Sequence, residues 1–163
     1  MPPVGIDRSL CFEHPAIVEA HAYWRSRCGG GRIPSRADVD PIEMRAFLPY
    51  VGLVDVVPGS GSRADYRIRL AGSHVECVFG QITGRSLQRF LPPDIDARWR
   101  HAFDLTIEAA APLRFTGRVS FEHRTWLESE TLLAPLVSAQ GRMDMLFAGF
   151  AAWTNDEAPA LDP

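Results

Sequence analysis

The chain has 163 residues, and its 17 lysine-plus-arginine positions are all arginine. Without a lysine, the protein lacks the ammonium group that a phosphate-binding P-loop or a Schiff-base enzyme requires. The formal net charge of −3 argues against a general nucleic-acid-binding domain, which is usually basic. No apolar run approaches the roughly 18 residues of a membrane-spanning helix. We therefore expect neither nucleic acid nor a membrane among the partners.

The sequence predicts one domain over residues 13–154, preceded by a leader of residues 1–12 and followed by a disordered tail of residues 155–163. Hydrophobic residues make up 46% of the chain, which is typical of a globular protein that buries a core. The first residues lack the basic start and apolar segment of a secretory signal. The three cysteines do not show the spacing of a disulfide framework. We therefore expect reduced thiols and a cytoplasmic location.

An amphipathic helix is predicted over residues 14–28. Pro15 suits the first turn of a helix, where its missing N–H is no loss. Apolar side chains then recur at helical spacing, among them Ile17 and Trp24. Three glycines that begin at Gly29 are expected to end this helix.

Two strands and a group of helices are predicted in the middle of the chain. Residues 50–57 are rich in β-branched side chains, and residues 65–71 alternate between apolar and polar, so both segments are predicted to be strands. Short helical pieces are expected between residues 73 and 91. A long helix is predicted from its capping residue Asp94 to about Ala110.

Three further strands are predicted over residues 113–122, 126–137 and 143–153. The last one is apolar on both faces, as expected of the central strand of a sheet that is covered on both sides. The element order indicates an α+β fold with helices on one face of a five-stranded antiparallel sheet. The N-terminal helix is the obvious cover for the other face.

Four charged side chains are expected to pair across the third and fourth strands. The arginines are Arg114 and Arg118, and the carboxylates are Glu128 and Glu130. Cross-strand pairs of opposite charge stabilise a sheet. This pairing is favoured over an anion-binding site formed by the same arginines.

Several local sequences resemble the PAS superfamily of sensor domains, and more narrowly a bacterial family of short, often standalone PAS-like proteins once described as a domain of unknown function. The resemblance extends over residues 14–153. The segments that carry it are Tyr23-Trp24, 34–41, Leu48-Pro49, Asp55, 66–72 and 79–84. It implies a sheet in the strand order 2-1-5-4-3, a small cavity between the sheet and its helices, and a sensory or protein-interaction role.

For two cofactors of the PAS superfamily, individual residues indicate whether the chain can bind them. LOV photosensors form a flavin adduct with a cysteine, but this chain has Leu87 at the matching position of its segment 84–91. Haem-binding members use a histidine on the long helix, yet His101 projects away from the stripe that carries Trp99 and Phe103. We therefore expect neither a LOV-type flavin nor haem, and the sequence names no other cofactor.

No metal site and no catalytic residue is assigned. His14, His21 and Cys28 follow one another at intervals of seven residues, and each interval spans about 10.5 Å along a helix. That distance is too long for the three to share one ion. The chain has no Gly-x-Ser-x-Gly motif, and the side chains of Ser73 and His74 diverge on a helix because they are sequence neighbours.

Candidate ligand-binding residues lie in or beside the family-like segments 66–72 and 79–84, around the expected cavity. They are Tyr66, Arg69, His74, Glu76 and Arg85. An arginine offers a planar fork of donors, which suits an anionic ligand or partner.

A homodimer is also expected. The resemblance implies that the N-terminal helix takes part in a dimer interface, and the large apolar area of the last strand favours an interface as well. The candidate interface residues are Ile17, Trp24, Leu146 and Phe150.

The favoured function is a non-catalytic sensory or regulatory module that acts through a signalling protein partner and responds to a small ligand in the cavity. One alternative is a small cone-shaped α+β enzyme, an NTF2-like isomerase or dehydratase. That enzyme would need His74 or His123 buried beside a carboxylate. A second alternative is a dimerisation adaptor with a filled core and no ligand.

Overall fold

A computed structural model describes residues 5–59, 63–119 and 127–154. Within them, six antiparallel strands form one sheet in the order β1-β4-β5-β6-β2-β3. The strands are β1 (Gly5–Asp7), β2 (Val51–Pro58), β3 (Ala64–Ala71), β4 (Leu113–Arg118), β5 (Leu127–Val137) and β6 (Met143–Thr154). The α-helices are α1 (Pro15–Ser26), α2 (Ser73–Phe79) and α3 (Pro93–Ala109). None of the helices in these ranges is both long enough and apolar enough to cross a membrane.

The predicted α+β fold and its strand order 2-1-5-4-3 are confirmed for β2 to β6. The sheet has one strand more than predicted, because Gly5–Asp7, within the expected leader, pairs with β4. The third predicted strand, β4, is therefore not at the edge of the sheet where β1 pairs with it. Three residues carry no useful apolar pattern, so only a long-range contact reveals β1: Arg114 Nη1 lies 3.2 Å from Asp7 Oδ2. The predicted tail, residues 155–163, lies outside the described residues.

The central position of β6 follows from its apolar side chains on both faces. Leu146 and Phe150 point towards α2 and α3, whereas Met145 and Phe147 point towards α1. Gly149 lets α1 approach closely, since a Cβ there would lie 3.3 Å from Ile17 Cδ1. The sheet is therefore covered on both sides, as its sequence pattern predicts.

Helix α1 is capped at its first end and is attached to the sheet near its other end. His14 is the N-cap, with Nδ1 accepting the amide N–H of Ala16 at 3.2 Å. Near the other end, the Trp24 indole N–H donates to the carbonyl of Pro135 at 3.0 Å. The helix ends at Ser26, two residues earlier than predicted.

The four interface candidates are buried inside one protomer. On α1, Ile17 and Trp24 are 0% and 6% exposed because they pack against one face of the sheet. On β6, Leu146 and Phe150 are 0% and 5% exposed because α2 and α3 cover them on the other face. The prediction that these residues offer a dimer surface is therefore corrected.

The predicted cross-strand ion pairs are present, but one of them is buried. Arg118 Nε lies 3.1 Å from Glu128 Oε1, and Arg114 Nε lies 2.7 Å from Glu130 Oε1. Glu130 is completely buried and also accepts the backbone N–H groups of Glu13 and His14. Burial and desolvation make a charge costly unless it is fully paired. The Glu130 carboxylate therefore joins β4, β5 and the start of α1.

Glu130→Gln should destabilise the fold far more than Glu128→Gln. The first variant removes the buried charge opposite Arg114 and should lower the free energy of unfolding by about 2 to 3 kcal/mol. Glu128 forms a partly exposed pair with Arg118, for which we expect a loss within about 1 kcal/mol. Urea unfolding followed by circular dichroism measures both. Equal losses in the two variants would contradict the role of Glu130.

Candidate functional site

An apolar cavity of about 70 Å³ lies between the sheet and its helical cover. Strands β2, β3, β5 and β6 form its floor, and α2, the segment 82–91 and α3 form its roof. Apart from the Thr131 hydroxyl, its lining side chains are apolar; those from the roof are Val75, Phe79, Ile82, Leu87, Phe90, Leu91, Trp99 and Phe103. This cavity is the one that the resemblance leads us to expect.

A second cavity of about 70 Å³ lies beside the first, between α3 and strands β4 and β5. Its lining is mixed, because Arg98, Thr116 and Ser129 join its apolar residues. The linings of the two cavities have four residues in common: Phe79, Trp99, Thr131 and Phe150. These four residues therefore form the partition between the cavities.

Three aromatic rings make up most of this partition. The Phe79 and Phe150 ring centroids are 5.2 Å apart, and the Trp99 ring lies 6.2 Å from Phe79 and 6.3 Å from Phe150. Such tilted and edge-on contacts are the favoured arrangements of aromatic pairs. Each ring comes from a different element, since Phe79 ends α2, Trp99 lies on α3 and Phe150 lies on β6.

Two glycines shape the roof of the apolar cavity. A Cβ at Gly72 would lie 2.2 Å from the carbonyl oxygen of Pro49, so only glycine lets the chain turn there into α2. Gly84 has φ 84° and donates its N–H to Ile68, whose own N–H donates to Arg85. The segment 82–91 is thereby tied to the edge of β3. The glycine-bounded part of the resemblance thus corresponds to the roof.

The five predicted ligand-binding residues do not converge, and none of them lines either cavity. Arg69 is half-exposed and pairs with Asp55 at 3.1 Å. Glu76 accepts a hydrogen bond from the Thr83 hydroxyl at 3.1 Å, and Arg85 is exposed. Arg69 and Glu76 therefore make contacts at the sheet edge and within the roof rather than with a ligand.

The other two candidates have local structural contacts. Tyr66 is buried beneath α3, and its hydroxyl donates to Asp104 at 2.5 Å. Burial raises the pKa of Tyr66, and the hydrogen bond to Asp104 acts in the same direction. His74 Nε2 accepts the amide N–H of Ala152 at 3.2 Å, and the His74 ring lies 4.4 Å from the Tyr50 ring.

A buried arginine missed by the sequence reasoning clamps α3 to β3. Arg100 is 9% exposed and contacts Asp96 at 2.9 Å and Asp65 at 2.6 Å. Burial by itself would raise the pKa of Asp65, but the hydrogen bond and charge of Arg100, together with the hydrogen bond from the Tyr66 N–H, outweigh burial and hold the pKa below its usual range. The helical wheel alone could not reveal this clamp, although Asp96 and Arg100 do have the i, i+4 spacing of a helical ion pair.

The residues around the cavities do not suit a LOV-type flavin or haem, the two cofactors considered from the sequence. Leu87 is buried and lines the apolar cavity, where it offers no thiol for a flavin adduct. His101 lies on the exposed side of α3, as predicted. At about 70 Å³, each cavity is also far below the roughly 300 Å³ at which cofactor pockets begin. Among the described residues, no group of three histidine, cysteine, aspartate or glutamate side chains is placed to hold a metal ion.

Asp65→Asn should lower the free energy of unfolding at neutral pH and make it depend less on pH. A carboxyl group whose pKa is lowered by folding stabilises the folded state above its unfolded pKa, near 3.8, and loses that contribution as the pH falls. We expect a loss of about 1 to 2 kcal/mol at pH 7 that shrinks towards pH 3. Thermal unfolding across this pH range measures it.

Asp55→Asn is the matched control for this prediction. Like Asp65, Asp55 pairs with an arginine, in this case Arg69 on β3. Arg69 is half-exposed, however, and water screens the pair. We expect a smaller loss than for Asp65→Asn at pH 7. A loss in Asp65→Asn that stays constant from pH 7 to pH 3 would contradict the clamp.

Comparisons with known proteins bear on the identity of the fold. No curated protein sequence matches the chain. Among solved structures, one described as an RNA-binding light-oxygen-voltage receptor is similar with a TM-score of 0.48 and 13% identity; the match covers 94% of this chain but only 39% of the receptor chain. The family described as "PAS domain" matches residues 12–151. With the predicted strand order also present, the chain belongs to the PAS domain family.

Proposed function

We propose that this PAS domain is a non-catalytic regulatory module in which a small ligand in the apolar cavity changes the contact with a signalling protein partner. The observation that carries the proposal is the lining of that cavity. It is apolar except for one hydroxyl, and the described residues that line it include no titratable side chain. Such a site favours binding of an apolar group over acid–base chemistry.

The two walls of the cavity differ in their resistance to movement. Its floor belongs to a sheet whose central strand β6 is hydrogen-bonded to β5 and β2 on its two sides. Its roof includes a helix of seven residues, α2, between Gly72 and Gly80. A ligand larger than about 70 Å³ must therefore displace the roof, and a displaced roof is a change that a partner protein can detect.

The enzyme alternative finds less support in the described residues. His74 Nε2 accepts a backbone N–H, which places this nitrogen in a structural contact. His123, the other histidine on which this alternative depends, lies outside the described residues. The cone-shaped fold is not adopted, because the sheet has the PAS strand order.

A homodimer and a cytoplasmic location remain part of the proposal. A dimer would have to bury surfaces other than the four candidate residues, which are already inside the protomer. Cys11, Cys28 and Cys77 are all free thiols, two of them exposed, and free thiols are typical of a reducing compartment.

Filling the apolar cavity should abolish binding there without harming the fold. Ala148 lies on β6 in the cavity wall, so Ala148→Leu adds apolar volume inside it. Xenon occupies small dry cavities, and we expect a bound-xenon shift in the ¹²⁹Xe NMR spectrum of the wild type that Ala148→Leu removes. Ala22→Leu, at an exposed position of α1, is the matched control and should keep the shift.

Native mass spectrometry of freshly purified protein completes this test. We expect a small molecule that co-purifies with the wild type and is lost in Ala148→Leu, and a dimeric mass. Absence of both the xenon shift and any co-purifying molecule would favour the ligand-free adaptor. A monomeric mass at all concentrations would contradict the homodimer.

A further inference from the structure

The mixed cavity beneath α3 contains a buried hydroxyl that has no hydrogen-bond partner among the described residues. Thr131 is only 4% exposed and lines both cavities. Its neighbour on the same face of β5 is different, because the Ser129 hydroxyl donates to the carbonyl of Gly117 at 2.9 Å. Because Thr131 lines the open space of the cavity, its hydroxyl can donate a hydrogen bond to a polar atom of a ligand placed there.

Arg98 is the available cation of the mixed cavity. It lies half-buried in the cavity wall on α3, and no carboxylate of the described residues lies within ion-pair distance of it. The other arginine in the wall, Arg118, is paired with Glu128 at 3.1 Å. Within the described ranges, one positive charge without a carboxylate partner therefore borders the cavity, and it matches a monoanion.

The size of the two cavities limits the apolar part of the ligand. Each has a volume of about 70 Å³, and the pair is comparable with the roughly 150 Å³ apolar cavity known to hold a benzene ring. The rings of Phe79, Trp99 and Phe150 separate them, so a ligand that used both would have to turn these rings aside. About six carbon atoms then fit.

We propose that the ligand of this domain is a short monocarboxylate with an unbranched or aromatic apolar tail. The carboxylate is held in the mixed cavity by the Arg98 guanidinium and the Thr131 hydroxyl, and the tail passes the aromatic partition into the apolar cavity. The inference rests on the proposed function, since it names the chemical class of the ligand. It also gives the partition a role, because the rings that the tail displaces belong to α2, α3 and the central strand.

Isothermal titration calorimetry with hexanoate and its neutral analogue hexanamide tests this assignment. We expect hexanoate to bind the wild type roughly tenfold or more tightly than hexanamide, because a charge-assisted pair with arginine is lost in the amide. Arg98→Gln should weaken hexanoate binding by a similar factor and remove the preference for the acid. Arg98→Lys keeps the charge and should weaken it less.

Two further variants test the positions of the carboxylate and of the tail. Thr131→Val has the same shape without the hydroxyl and should weaken hexanoate binding by about threefold to tenfold. Ala148→Leu fills the apolar cavity and should abolish hexanoate binding. Arg45→Gln removes an exposed arginine outside both cavities and is the control, with an affinity within about twofold of the wild type.

The outcomes separate this inference from the proposed function. If xenon binds but hexanoate does not, or if hexanoate and hexanamide bind equally, the monocarboxylate assignment is wrong and the apolar cavity remains a ligand site. Unchanged hexanoate affinity in Arg98→Gln, or in Ala148→Leu, would likewise overturn the assignment. If neither xenon nor hexanoate binds, both the assignment and the ligand-responsive function fail. Circular dichroism of each variant verifies that it is folded.

Discussion

The buried carboxylate of Glu130 is the constraint on which the arrangement of the two faces depends. A charged group with no access to water must have its oxygens satisfied by the protein, and here the partners are Arg114 and the backbone N–H groups just before α1. These contacts fix where the first helix begins. Because α1 then covers one face of the sheet, the central strand is apolar on both sides, and α2 and α3 are left for the other face.

The second face carries the elements that respond to a ligand. Arg100 ties α3 to the start of β3, and the Gly84 segment ties the roof to the edge of the same strand. Between these two attachments, the short helix α2 and the long helix α3 meet β6 through apolar contacts such as those of Phe79 and Trp99, together with the hydrogen bond from Ala152 to His74. Attachment at the edges with an apolar interior is an arrangement in which a small guest molecule can move the roof without breaking the sheet.

The polar groups of the interior divide into two kinds. Glu130, Arg100 and Tyr66 are buried with partners of opposite charge or with hydrogen bonds, and they hold elements together. Thr131 and Arg98 border a cavity without such partners in the described chain. Residues chosen from and beside the family-like segments, such as Arg69 and Glu76, have structural contacts, whereas the proposed site lies on α3 and β5.

Local sequence patterns by themselves determined the central β6 and the covering helix α1, whereas the strand order was implied by the resemblance to PAS domains. The patterns could do so because the doubly apolar run over 143–153 has the period of a strand and the apolar stripe of residues 14–28 has the period of a helix. The sequence could not place β1, bury Glu130 and Arg100, or show that Ile17 is covered by the sheet and Phe150 by α2 and α3 rather than by a partner. Those features depend on which distant residues meet, such as Asp7 with Arg114 and Asp65 with Arg100. The tertiary structure alone decided them, because a charge or hydroxyl acquires its role from what surrounds it after folding.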